Sequence, residues 1–151
     1  MAYTNVERAL ENVIAELPNY TKGENLSRGD PRIIGKGSHE SYIILTMGGF
    51  PSRRPTAAPR RITTGWNIQL LLLVLFKTDL AEVHADVVAR RQEIIDKIDS
   101  KPTLNFTPHV VNAIVSSGGE PERWRGESRN YWIQRMTVSI TENVYVAIAD
   151  A

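Results

Sequence analysis

The chain has 151 residues, 42% of them apolar and 23% charged, and a net charge of +1. These totals describe one domain, residues 1–151, with enough chain for its own core, and they exclude a protein that coats nucleic acid with its whole surface. There are no cysteines, which removes disulfides, thiolate metal sites and cysteine nucleophiles and fits a reducing compartment.

The helical pattern begins at once, so no signal peptide is expected. Thr4, Asn5, Val6 and Glu7 read as a capping box, with Thr4 at the cap and Glu7 reaching back. Val6, Ala9, Leu10, Val13, Ile14 and Leu17 follow at helical spacing until Pro18 stops the helix. Residues 19–40 are polar and carry Gly23, Gly29, Gly35 and Gly37, the composition of a long loop. Ser41–Met47 reads as a strand. The stretch GGFPSRRPTAAPRRITTGW, residues 48–66, then holds Arg53, Arg54, Arg60 and Arg61 and no acid. Pro51, Pro55 and Pro59 stiffen it, so it reads as a basic loop that does not add a strand to a neighbour.

Residues 66–77 form the strongest strand pattern. Its first half alternates, Ile68 and Leu70 against Asn67 and Gln69; from Leu71 to Phe76 both faces are apolar. A strand with one solvated face keeps alternating, so this half is expected to be covered on both sides. Leu72, Val74 and Phe76 are assigned to the helix side, where truncating Phe76 is expected to cost about 3–5 kcal/mol. The run 70–76 is too short to span a bilayer.

Asp79 and Glu82 open a second helix that runs to about Ser100, with Leu80, Val83, Val87, Ile94, Ile95 and Ile98 as its apolar stripe. His84 and Arg91 fall within that stripe, either as interior groups or at a seam with a neighbouring chain. Lys101 and Pro102 end the helix. Residues 110–116 read as a third strand, 117–121 as a turn, and 131–140 as a fourth strand. Thr141, Glu142 and Asn143 mark a bulge or turn, and Val144, Val146 and Ile148 continue in extended form. The order α-β-β-α-β-β predicts an α+β, two-layer sandwich: two helices packed on a mainly antiparallel sheet of about four strands.

Few motifs suggest chemistry. Gly35-Lys36-Gly37-Ser38 lacks the spacing and preceding strand of a phosphate loop. His39, His84 and His109 are scattered, and no serine sits in a nucleophile elbow. No catalytic residue, cofactor or metal is expected. The segment 123–132 interleaves Arg123, Trp124, Arg129 and Trp132, a composition that can stack bases or form a protein contact. Glu120, Glu122 and Glu127 dilute its charge and favour the protein contact.

The stretches GWNIQLLLLVLFKTD, IIDKIDSKPTL, AIVSSGGEP and RNYWIQRMTVSITENVYV, in that order, resemble the tail terminator (tail completion) proteins of long-tailed bacteriophages. The likeness extends over nearly the whole chain as a pattern of elements. It implies a structural virion protein, not an enzyme: a homohexameric ring that caps the tail tube, ends its polymerisation and gives the neck and connector proteins a docking surface. The place implied is the head-proximal end of the tail, after assembly in the host cytoplasm, with no membrane involved. On this reading a neighbouring subunit covers Leu71, Leu73 and Leu75, with His84 and Arg91 at the seam. Arg53, Arg54, Arg60, Arg61, Arg123, Trp124, Arg129 and Trp132 meet partners, with weak contact to DNA in the channel as a further role. The length of the 19–40 loop and the basicity of 53–61 depart from the family pattern. A head–tail connector or stopper protein is the neighbouring alternative. A small nucleic-acid-binding protein using 53–61 and 123–132 is the alternative from another class.

Overall fold

Two long strands organise the chain. The computed structural model describes residues 3–29, 39–47, 52–55, 61–76, 79–105, 110–117, 121–125 and 130–145. In chain order the elements are α1 (Tyr3–Ile14), β1 (Leu26–Arg28), β2 (Ser41–Met47), β3 (Ser52–Pro55), β4 (Arg61–Leu75), α2 (Leu80–Asp99), β5 (Val110–Ser117), β6 (Glu122–Arg125) and β7 (Asn130–Tyr145). The strands form one sheet in the order β1-β2-β4-β7-β5, with β3 added to β4 and β6 to β7. Every pairing is antiparallel except the short parallel β1–β2 contact.

The α+β arrangement of two helices and a mainly antiparallel sheet agrees with expectation; the strand count does not. β1, β3 and β6 are three or four residues long. They lack the apolar alternation that marks a strand, and only pairing with a longer neighbour makes them strands.

Alternation along β4 divides the core. Ile68, Leu70, Leu72 and Val74 join Val6, Leu10, Val13 and Ile14 of α1 and Val83, Val87, Ile94 and Ile98 of α2 in the main cluster. On the other face Leu73 packs with Tyr42, Ile44, Tyr131 and Ile133, while Leu71 and Leu75 lie half-buried at the margin. The second cluster contains no helix residue. Both faces of this half-strand are therefore covered, but Leu73 keeps only 2% of its surface exposed within its own chain. That corrects its assignment to a neighbouring subunit; Leu71 and Leu75 alone retain surface to offer one.

Several finer expectations also change. Helix α1 already includes Tyr3, so Thr4 lies within its bounds and not at the position before its first residue. Glu7 is buried beside Arg28 instead of reaching back to the cap. In α2 the Asp79 carboxylate does cap, accepting from the N–H groups of Ala81 and Glu82 at 3.0 and 3.3 Å. His84 is exposed and Arg91 partly so. The buried residues Val83, Val87, Ile94 and Ile98 define a narrow stripe, and His84 lies about 70° from its centre. β7 runs unbroken through Thr141, Glu142 and Asn143 to Tyr145. The irregularity there belongs to its partner, where β5 shifts register between Val110 and Asn112.

Leu72, fully buried at the centre of the sheet, is expected to cost about 2–5 kcal/mol when truncated to alanine. Phe76 lies past the end of β4 and is only half-buried, so Phe76→Ala is expected to cost less than Leu72→Ala, contrary to the reading of the sequence. Urea unfolding of the two variants checks the ranking; an equal or larger loss for Phe76→Ala contradicts this assignment of the core.

Candidate functional site

The ends of the basic stretch 53–61 lie on paired strands, β3 and β4. Arg53 pairs with Thr64, Arg54 with Thr63 and Pro55 with Ile62, so the first two arginines stand on a strand and not in a loop. β3 is an edge strand, where a missing N–H breaks no internal ladder, and Pro55 is its last residue. Arg61 begins β4 opposite Tyr145. Arg60, Pro51 and Pro59 lie outside the described residues. Arg53, Arg54 and Arg61 are thus gathered by the backbone at one end of the sheet.

The base of this ribbon is fastened by a polar contact among apolar neighbours. The Trp66 indole N–H donates to Glu142 Oε1 at 3.0 Å. Glu142 is fully buried and Thr64, its register partner, is 4% exposed. Glu142 Oε2 has no partner among the described residues. Nothing in the spacing of Trp66 and Glu142, 76 positions apart, reveals this link before the register is known.

The arginine–aromatic segment sits at the other end of the sheet. Arg123 pairs with Trp132 and Trp124 with Tyr131. The exposed Arg123 guanidinium lies over the Phe76 ring, 4.6 Å from its centroid. Phe76 in turn tilts against Trp132, with centroids 6.0 Å apart. Trp132 is half-buried against the main core, so it backs the Phe76 ring as much as it serves as a surface group. Arg129 lies outside the described residues. From Trp132 to Glu142 is ten strand positions, about 33 Å at the usual rise. The two clusters, taken together in the sequence reading, are at opposite ends of the sheet.

Two polar clefts tie the 19–40 region to the helices, and sequence reading missed both. Arg28 Nε of β1 lies 3.4 Å from Glu11 and 4.0 Å from Glu7 of α1, lining a cleft of about 390 Å³ with Gly23, Leu26 and Ser27. A second, of about 220 Å³, is lined by Asn19, Asn25, His39, Glu40, Ser41 and Arg90. There Tyr20 and Ser41 share a 2.7 Å hydroxyl bond, and Asn25 Nδ2 donates to the backbone carbonyls of Asn19 and Ser41 at 2.7 and 3.2 Å. Arg90 Nε donates to Asp86 at 2.9 Å and its guanidinium lies 3.5 Å from Glu40. Burial disfavours the Arg90 charge, but the Tyr20 hydroxyl and Asp86 outweigh it and hold the guanidinium above its ordinary pKa. The cation in each cleft already faces two carboxylates, which suits these clefts to fastening helices to strands.

Among the described residues no group of three or more histidine, aspartate or glutamate side chains is placed to hold a metal ion, and no helix is long and apolar enough to cross a membrane. No protein-family model matches the chain, and no curated protein sequence does.

Trp66→Phe removes the indole hydrogen bond to the buried Glu142 carboxylate and is expected to destabilise the chain by about 1–3 kcal/mol. Adding Glu142→Leu is expected to restore much of that loss, because both polar partners are then gone. A double-mutant cycle by thermal unfolding reads the coupling; strictly additive losses would show that the bond carries none.

Proposed function

We propose that the chain is the structural subunit of a phage tail terminator: a six-fold ring that caps the tail tube, stops its growth and presents a surface to the neck. The observation that carries this reading is the separation of Arg53, Arg54 and Arg61 from the Arg123–Phe76–Trp132 stack by the length of the β4–β7 ladder. An adaptor between tube and neck needs two binding ends on one rigid body, and the spacing of these clusters along the ladder supports that reading. The resemblance of the sequence to the terminator family supports the same assignment.

Each end suits a different contact. A guanidinium held over an aromatic ring is a preorganised anchor for a protein surface, since little side-chain freedom remains to be lost. At the other end, four arginines per subunit become about 24 positive charges in a six-fold circle, a field that the +1 subunit conceals. Pairing of β3 with β4 holds both ends of the basic connection in place, which favours docking to a fixed acidic surface on the tube or neck. DNA in the channel must slide, so transit tolerates only weak, salt-screened contact there. The nucleic-acid-binding alternative fits less well, because a bound strand needs one continuous basic track and these clusters occupy opposite ends of the sheet.

The variant with Arg53, Arg54, Arg60 and Arg61 all replaced by glutamine is expected to fold with an unchanged melting temperature. It is also expected to fail to join heads to tails when added to terminator-deficient lysates. Full joining with slowed DNA ejection would move the basic stretch to the channel wall; full joining with normal ejection would remove it from the interface altogether.

A further inference from the structure

The two ends of the β4–β7 ladder carry different kinds of contact. Residues 48–66 contain no acid. The acid level with Arg53, across Thr64, is Glu142, which is fully buried and bonded to Trp66. At the other end charge is diluted: Glu122 of β6 lies 3.5 Å from Arg135, and Glu120 and Glu127 fall in the same stretch. That end is distinguished instead by how its cation is held. The exposed Arg123 guanidinium lies 4.6 Å from the Phe76 ring centroid, Phe76 tilts against Trp132, and Trp132 packs on the main core. One end is a group of cations; the other is a single cation fixed over a ring that the core supports.

These two devices act on different parts of a binding reaction. Charges at the margin of a contact change its association rate and salt dependence, whereas an anchored group that becomes desolvated changes its dissociation rate. They also depend differently on assembly. The Arg123–Phe76–Trp132 stack is complete within one subunit. The arginines of the other end build a strong field only where copies stand side by side, because one copy has a net charge of +1. A preformed anchor suits a subunit that arrives singly and must stay. A field built by several copies suits a finished ring that must capture a large, scarce particle.

We propose that the Arg123–Phe76–Trp132 end seats on the tail tube, and that Arg53, Arg54 and Arg61 at the other end face the neck, where the closed ring steers an acidic protein surface of the head toward the tail. This rests on the ring reading, which by itself does not say which end meets which partner. Tube growth stops before a finished tail is offered to a head, so the tube contact forms first, subunit by subunit, and its strength lies in slow release. Head and tail then meet as two slowly diffusing particles. Steering by a concentrated field raises the rate of such an encounter by about 10- to 1,000-fold.

The test separates seating from joining. The chain is added to terminator-deficient tails, the tails are pelleted and washed, and heads are then added; release of the chain and the rate of joining are measured in turn. Arg123→Gln and Arg123→Lys are each expected to leave the tube about tenfold faster than wild type, because lysine keeps the charge but loses the planar group that lies over Phe76. The variant with Arg53, Arg54, Arg60 and Arg61 replaced by glutamine is expected to seat and stay like wild type, yet to join heads at about a tenth of the rate or less at about 0.05 M salt. At about 1 M salt, where the screening length falls to about 3 Å, wild type is expected to drop to the same rate. Normal retention of Arg123→Lys overturns the proposal, and so does a joining defect that salt does not reproduce. An exchange of the two effects between the variants overturns the assignment of ends and leaves the ring reading standing. A wild-type chain that never seats on the tubes refutes the ring reading as well.

Discussion

The antiparallel ladder between β4 and β7 is the constraint on which the remaining structure depends. It pairs fifteen successive residues, from Arg61 opposite Tyr145 to Leu75 opposite Tyr131. β2 and β3 attach to one of these strands, and β5 and β6 to the other. A slip of one residue would exchange the two faces, sending Leu73 toward the helices and Leu72 away from them. Two apolar clusters of unequal size resist that exchange. The main cluster needs the even-numbered positions of β4 to meet α1 and α2; the smaller one needs Leu73 beside Tyr42 and Tyr131, whose rings meet edge to face at 5.8 Å. Trp66 and Glu142 add a polar fastening near one end.

The ladder also converts sequence distance into functional geometry. Its length holds Arg53, Arg54 and Arg61 apart from the Arg123–Phe76–Trp132 stack, the separation on which the proposed two-ended adaptor rests. Its flanks differ in chemistry. Short charged strands occupy most of the sheet's outer positions, and β5 alone is long and neutral. The ring proposed above requires ends that bind unlike partners and sides that bind like copies.

Much of this was legible in the sequence where side-chain pattern decides the structure. Asp79 announces α2, and the loss of alternation after Leu70 correctly signals cover on both faces of β4. What was not legible follows from backbone pairing, which leaves little trace in composition. Arg53, Arg54 and Pro55 look like loop residues, yet the ladder to residues 62–65 makes them a strand. Polar Leu26–Arg28 is a strand only because β2 lies beside it. No break occurs at Thr141, Glu142 and Asn143, where β7 is continuous; the irregularity lies in β5 across the ladder, between Val110 and Asn112. His84 misled because helical spacing alone does not give the width of the buried stripe. The candidate contact residues were recognisable by type, whereas their division between two ends became visible only with the register.

On the proposed reading, the most direct measurement is cryo-electron microscopy of phage tails assembled with this chain, with the rotational symmetry of the head-proximal end determined without imposing it. The account predicts one six-fold layer there whose density takes this fold, with the β4–β7 ladder running roughly along the tail axis. Density for this chain elsewhere in the particle, or a head-proximal end that lacks it, would contradict the account.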